Sequence, residues 1–408
     1  MDPKTIPPKF VQKDKLFEEE KTDPAIHTVP TEFLEEEPTD PGIKITTDDN
    51  DLAQTAGQVV DLGVIDDYLS DPHVTEIMIN DTRNIMLEKS GRITHANARI
   101  ETETELTRIT REILKLTDRP FNYENPALDL ALPDGSRLQM ITAPLVRTGT
   151  CITIRKFPKR YSMGQLQTLG TFDETMGIFL QKCVQGRINI LVSGGTGSGK
   201  TTLLSALASC IPKEERIITI EDTAELRLSH PNLVQLYTRP KQNDAPAVNQ
   251  RELIAHSLRM RPDRIILGEC RRGEALDMLQ AMNSGHDGSL TTVHANSPRD
   301  AIARVETLCM MAGFDQLSLI AIRRQLVAAI ELLVHVERIG SGGRKIMRIA
   351  EITGMENDVV TLQDLFHYET YENNAREADS RFVCDGFVPT FVKKLKDKGI
   401  EFPPRFFG

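Results

Sequence analysis

Tryptophan is absent from the 408 residues, and aromatic side chains make up only 5% of them. Channels for single-stranded nucleic acid pair basic grooves with stacking rings, so this scarcity argues against that class. The formal net charge of −10 also opposes non-specific attraction to a polyphosphate backbone. Direct contact with nucleic acid is therefore not expected, although a local basic channel stays open. The six cysteines, Cys151, Cys183, Cys210, Cys270, Cys309 and Cys384, form no C-x-x-C pair, and several lie in apolar stretches. Reduced, buried thiols are expected, with neither zinc nor disulfides. No apolar run offers the about 20 residues of a membrane helix, because "LIAIRRQLVAAIELLVHV" is interrupted by Arg323, Arg324 and Glu331. The opening "MDPKTIPPKFVQKDKLFEEE" has no apolar h-region, so the expected location is the cytoplasm. There is no internal repeat.

The length suits two or three domains. Residues 1–50 are rich in proline and acid ("TEFLEEEPTDPGIKITTDDN") and poor in periodic apolar positions, the composition of a disordered tail. Over 51–160, helical "VVDLGVIDDYLSD" and amphipathic "TELTRITREILKLTDRP" alternate with hairpin-like "VTEIMIN" and "NIMLEKSGRI". That pattern predicts a smaller α/β N-terminal domain. Pro158, Gly164 and Gly170 mark a linker, placed at 161–170. Over 171–340, strand-like "RIITIED", "LVQLYTR", "RIILGE" and "SLTTVH" alternate with helix-like "QRELIAHSLRM", "GEALDMLQAMNS" and "PRDAIARVETLCMMA". Alternation of this kind predicts an α/β core with a mainly parallel sheet. Residues 341–408 form a less periodic extension that opens on the strand "RKIMRIAEITGM".

In "INILVSGGTGSGKTTLLSALASC", Gly194, Gly199, Lys200 and Thr201 fit G-x-x-x-x-G-K-[ST], with a strand before and a helix after. Glycines let successive N–H groups curl toward phosphates, and the helix start adds its positive dipole end. Gly194, Gly195, Thr196, Gly197, Ser198, Gly199, Lys200, Thr201 and Thr202 are therefore expected to bind ATP. Lys200 would bridge the β- and γ-phosphates and Thr201 would complete a magnesium shell, with Thr202 packing or capping.

Ligands of such sheets bind at the carboxyl ends of strands, where Ser193, Glu221, Glu269 and His294 converge. Glu269 ends a strand where many such enzymes place a magnesium-holding aspartate, and Glu221 ends a neighbour. One carboxylate should support magnesium and the other orient the attacking water. The reading places Glu221 on the water and Glu269 on the metal, and leaves their exchange open. His294 is positioned to hydrogen-bond the γ-phosphate, and His286 precedes the same strand. Positive charge for phosphoryl transfer is available from Arg259, Arg261, Arg264, Arg271 and Arg272, and from Arg137 and Arg155 upstream of the linker.

Together, "GGTGSGKTTLL", "RIITIEDTAEL", "LRMRPDRIILGECR" and "GHDGSLTTVHANSPRDAIARVETL" resemble the Walker A, Asp box, Walker B and His box of the secretion ATPase superfamily, in order and spacing. That superfamily drives type II secretion, type IV pili and type IV secretion. "DPHVTEIMIN", "LPDGSRLQMITAPLVRTGTCITIRKF" and "ITGMENDVVTLQDLF" resemble its CpaF subfamily, the motors of Tad (Flp) pili. Asp81 stands where that family has glycine. The tetracysteine zinc element of many type II secretion ATPases is missing, which favours the CpaF or type IV secretion branch. The resemblance implies a RecA-like P-loop core, a homo-hexameric ring and nucleotide held between the N-terminal domain and the core. It also implies Arg137 and Arg155 as arginine fingers, a hinge near residue 165, and a motor peripheral at the inner membrane that acts on pilus platform proteins. The rivals are a type IV secretion ATPase and a nucleic-acid translocase.

Overall fold

The computed structural model describes residues 60–89, 91–147, 149–157, 159–239, 246–313, 317–340, 343–369 and 380–408. The acidic segment 1–50 and Pro158 lie outside them. Among the described residues, no helix is long and apolar enough to cross a membrane.

Val74–Ile79 (β1), Ile85–Lys89 (β2), Arg92–His95 (β3), Ala127–Ala131 (β4), Arg137–Ile141 (β5) and Cys151–Arg155 (β6) make a six-stranded sheet in the order β3-β2-β1-β6-β5-β4. Every pairing in it is antiparallel. The expected first helix shrinks to a 3-10 turn, Gly63–Ile65, and the short helix Asp66–Ser70 (α1). Gly63, at φ +61°, breaks the helical run there. Glu103–Leu114 (α2) starts at the cap Thr102, whose side chain accepts the N–H of Glu105. Its Leu106, Ile109 and Ile113, spaced three and four apart, join Ile77, Ile79, Leu87, Ile152 and Ile154 in one apolar cluster. Asp81 sits in the β1–β2 turn, where its Oδ1 accepts the N–H of Arg83 at 2.8 Å. An Asx bond holds the turn there without glycine.

The linker segment contains a helix, Met163–Thr168 (α3), which opens on a capping box between Ser162 and Gln165. Glu174–Gln185 (α4) then leads into a nine-stranded sheet. Its members are Ile190–Gly194 (β7), Ile217–Glu221 (β8), Leu233–Tyr237 (β9), Arg264–Cys270 (β10), Leu290–His294 (β11), Leu332–Arg338 (β12), Arg344–Glu356 (β13), Val359–Glu369 (β14) and Arg381–Cys384 (β15). The order is β15-β14-β13-β12-β7-β11-β10-β8-β9. From β12 to β9 all neighbours are parallel. β13, β14 and β15 continue the same sheet antiparallel, so residues past 340 extend the core sheet itself.

Every residue of β7 is buried, as expected of a central strand covered on both faces. Alternate side chains serve opposite layers. Ile190 and Val192 join one cluster with Leu203, Leu207 and Phe179, while Leu191 joins Leu267, Leu276 and Leu279 in the other. The helix after β7, Lys200–Ala208 (α5), lies in the first layer, and Glu274–Asn283 (α7), which follows Gln250–Ser257 (α6), lies in the second. The chain end is gathered onto the first layer by stacking of Phe402 on Phe179 at 5.8 Å, and Phe366 of β14 packs tilted against the same ring at 5.1 Å.

Candidate functional site

β7 ends at Gly194 and α5 begins at Lys200, so the glycine-rich turn lies between the central strand and a helix. Its glycines do different work. Gly199, at φ +95°, forms the left-handed start of the helix. A Cβ on Gly194 would come within 2.2 Å of the Val336 carbonyl oxygen, so glycine there is a packing requirement. Around Gly195 and Gly197 an added Cβ would meet nothing within 4 Å. The turn thus presents an open backbone cradle, suited to phosphate oxygens.

Lys200 Nζ donates to the carbonyl oxygen of Gly195 at 2.9 Å. Burial lowers the pKa of its ammonium, and the nearby Glu269 and Glu225 push it back up. Thr196, Gly197, Gly199, Lys200, Thr201 and Thr202 line a cavity of about 360 Å³, within the range of small-molecule sites. Thr202, expected to pack or cap, is therefore at the cavity, whereas Gly194 and Ser198 are buried and do not line it.

Of the two predicted carboxylates, the structure brings only Glu269 to this cavity. Its Oε2 accepts from Arg271 Nε at 2.6 Å, and Arg271 also donates to Asp222 Oδ2 at 2.9 Å. Glu221 reaches its strand end but turns away from the cavity. It is 3% exposed, and its Oε1 accepts the N–H groups of Glu225 and Leu226 at 3.0 and 2.9 Å. Burial pushes its carboxyl up to about 7 against those two bonds. The turn that Glu221 holds delivers Glu225, which the sequence reading missed. Thr201 Oγ1 donates to Glu225 Oε2 at 3.3 Å, and Arg137 lies 3.6 Å from Glu225 Oε1. The available signal was a second acid four residues on in "TIEDTAEL".

The first sheet supplies the opposite wall. Arg137 on β5 and Arg155 on β6 are direct cross-strand partners, so their side chains share a face. Both line the cavity, together with Thr75, Glu76, Glu88 and Phe157. His294 closes β11 opposite Gly194 and lines it too. So does Arg344 of β13, whose Nε donates to the Gly197 carbonyl oxygen at 3.1 Å. No local pattern in the sequence marks that arginine.

Other expected residues go elsewhere. Ser193 is fully buried, with Oγ 2.9 Å from His335 Nδ1, and His335 Nε2 is 3.0 Å from Glu337 Oε1. His286 Nδ1 lies 3.2 Å from the Ala281 carbonyl oxygen. Among the core arginines, Arg271 lines the cavity while Arg259, Arg261, Arg264 and Arg272 do not. Cys183, Cys270 and Cys309 are buried, which raises their thiol pKa values.

A glycine turn between a central parallel strand and a helix, with Lys200 and Thr201 at the helix start, defines an α/β protein with a glycine-rich loop at the carboxyl end of its sheet, where ligands of such sheets bind. Residues 58–362 match the family model of the Type II/IV secretion system proteins, and the chain belongs to that family. It is 35% identical over 337 residues to the type IV secretion system protein PtlH of Bordetella pertussis, an alignment covering 74% of this chain and 97% of PtlH. It is 32% identical over 318 residues to the conjugal transfer protein TrbB of Rhizobium radiobacter, covering 76% of this chain and 91% of that protein. Two solved structures share its fold. The pilus retraction motor PilT with bound ADP gives a TM-score of 0.51 at 20% identity, over 75% of this chain and 83% of that one. The Yersinia pseudotuberculosis ATPase DotB gives 0.51 at 18%, over 69% and 76%.

Proposed function

We propose that this chain hydrolyses ATP with magnesium and is the motor of a Tad (CpaF-type) pilus. It works as a homo-hexameric ring, cytoplasmic and peripheral at the inner membrane, against pilus platform proteins. One observation carries the hydrolytic part: the loop, the strand-end Glu269, Glu225 and two arginines from the other sheet converge on a single cavity.

The residues present fit the group. The open cradle at Gly195 and Gly197 and the Lys200 ammonium receive phosphate oxygens. Thr201 and Glu225, already in contact, are the pair suited to hold magnesium. Bound there, magnesium supplies charge neutralisation at the phosphates. Glu269, fixed by Arg271, is the carboxylate left to orient the attacking water, the role first given to Glu221, while Glu225 takes the metal-side role first given to Glu269. Arg137 and Arg155 place positive charge against the transition state, and His294 contacts the γ-phosphate.

The pilus part rests on "GMENDVVTLQDLF", which falls in the β13–β14 hairpin. A type IV secretion motor is the second reading, favoured by the near full-length matches to PtlH and TrbB. Direct nucleic-acid contact belongs to neither reading. Magnesium-dependent ATP turnover of the purified chain, measured alone, with single-stranded DNA and with the cytoplasmic domain of a pilus platform protein, decides among them. Stimulation by the platform domain alone is expected. Stimulation by DNA alone would remove the pilus, and wild-type turnover in Lys200→Ala would remove the hydrolytic site.

A further inference from the structure

We infer that Arg227, which lies outside the cavity, is a positioning residue: its guanidinium on the Phe157 ring holds the carboxylate side of the site at a fixed distance from the arginine side. The inference rests on the hydrolytic reading above.

Arg227 Cζ lies 3.9 Å from the centroid of the Phe157 ring. The segment that Arg227 closes is tied down within the core. Glu221 accepts two of its N–H groups, Ser205 Oγ on α5 donates to the Arg227 carbonyl oxygen at 3.2 Å, and Gln235 Nε2 on β9 donates to that of Leu226 at 3.4 Å. Leu226 is itself buried in the first core layer. Glu225 and Arg227 therefore move with the phosphate-binding helix.

Phe157 is tied just as closely to the other wall. Its N–H donates to Ser136 Oγ at 3.1 Å, and Ser136, fully buried, bonds both carboxylate oxygens of Asp134 at 2.8 and 2.7 Å. Gly135 leaves room for the ring, since a Cβ there would lie 3.2 Å from Phe157 Cδ2. Arg137 follows Ser136 directly, and Arg155, its cross-strand partner, precedes Phe157 by two residues. Both cavity arginines hang from the framework that Arg227 grips.

The cavity needs such a tether. Arg155 and Lys200 bring like charges to it, and the bridge between Arg137 and Glu225 is long and partly exposed, so it contributes little. That bridge also consists of two groups that bound magnesium nucleotide would recruit. Arg227 itself does not line the cavity and meets it only through the Phe157 ring, which leaves its guanidinium free to hold the walls during turnover.

The test uses the full chain and four variants: Arg227→Met, Phe157→Leu, their double, and Arg227→Lys, which keeps the cation. A cation–π contact at a partly exposed site predicts a fall in kcat of about threefold or more for Arg227→Met. The affinity for a non-hydrolysable ATP analogue should stay within about twofold, because Arg227 does not line the cavity. Arg227→Lys should retain turnover, and the double variant should lose no more than the worse single one. A smaller fall in Arg227→Met, or losses that simply add in the double variant, would overturn the inference. Should Arg227→Met not fold, the contrast between Phe157→Leu and Arg227→Lys decides, and equal turnover in that pair overturns it. Lys200→Ala, run in parallel, separates the two levels. If Lys200→Ala is inactive while Arg227→Met is fully active, only the role of Arg227 fails. If Lys200→Ala turns over normally, the hydrolytic reading fails first.

Discussion

Glu221 shows how a single carboxyl at a strand end is used by the turn beyond it. Its folded pKa, raised from the ordinary 4.5 to about 7, means that the native state binds more protons than the unfolded state between those values. Stability from this group is thus fully present below about pH 4.5 and is lost as pH rises through about 7. The span corresponds to about 3 kcal/mol. Glu221→Gln keeps an oxygen for the two N–H groups and removes the titration. Its denaturation midpoint should gain on wild type between about pH 5 and pH 8, and a constant difference across that range would refute the burial argument. ATP turnover adds a second readout. Glu221→Gln should stay active, whereas Glu269→Gln should lose about a hundredfold or more if it orients the water. An inactive Glu221→Gln would return the water to Glu221, the role first read from the sequence. Both glutamates were legible as strand-end acids, because strand ends follow from apolar runs. The direction in which each side chain turns depends on the next turn's N–H groups, and so Glu225 went unseen.

At the scale of elements, Arg264 marks the difference between a functional arginine and a structural one. It opens β10 with no exposed surface, and donates to the Gly288 and Val184 carbonyl oxygens at 3.0 and 2.9 Å and to Glu215 at 2.5 Å. One guanidinium thereby ties the end of α4 and the turn before β11 to the start of β10, and a Cβ on Gly288 would fall 1.9 Å from its Nη1. Arg264→Ala leaves two buried carbonyls without this donor and Glu215 with Arg187 as its partner, so a loss of about 2–4 kcal/mol is expected in chemical denaturation. An unchanged denaturation curve with lost turnover would instead return Arg264 to the catalytic candidates. Elements whose signals are local were legible: the glycine turn, the amphipathic α2 and the apolar β7. Helix α3 was hidden because Gly164 and Gly170 were weighed above the Ser162–Gln165 capping box. Arg344 was hidden for a different reason. Its place beside Gly197 is created by the pairing of β13 with β12 and of β12 with β7, which no window of sequence contains.

At the scale of the whole molecule, the cavity belongs to two sheets, and a ligand that touches both must stabilise their joint arrangement. Binding to the folded chain alone adds RT ln(1 + [L]/Kd), about 2.7 kcal/mol at a hundredfold excess over Kd. A non-hydrolysable ATP analogue with magnesium should therefore raise the Tm of the wild-type chain by several degrees. Lys200→Ala should remove most of that rise by deleting the loop's ammonium. Arg137→Ala combined with Arg155→Ala should leave a substantial part of it, because the loop and its cradle remain, yet turnover should fall far more than the Tm shift. Fingers act on charge that develops in the transition state, so their loss appears in kcat before it appears in binding. If the double variant kept full turnover, the first sheet would be a lid on the site and not a participant. If it lost the whole Tm shift, Arg137 and Arg155 would be ground-state binding groups, and their part in the chemical step would have to be given up.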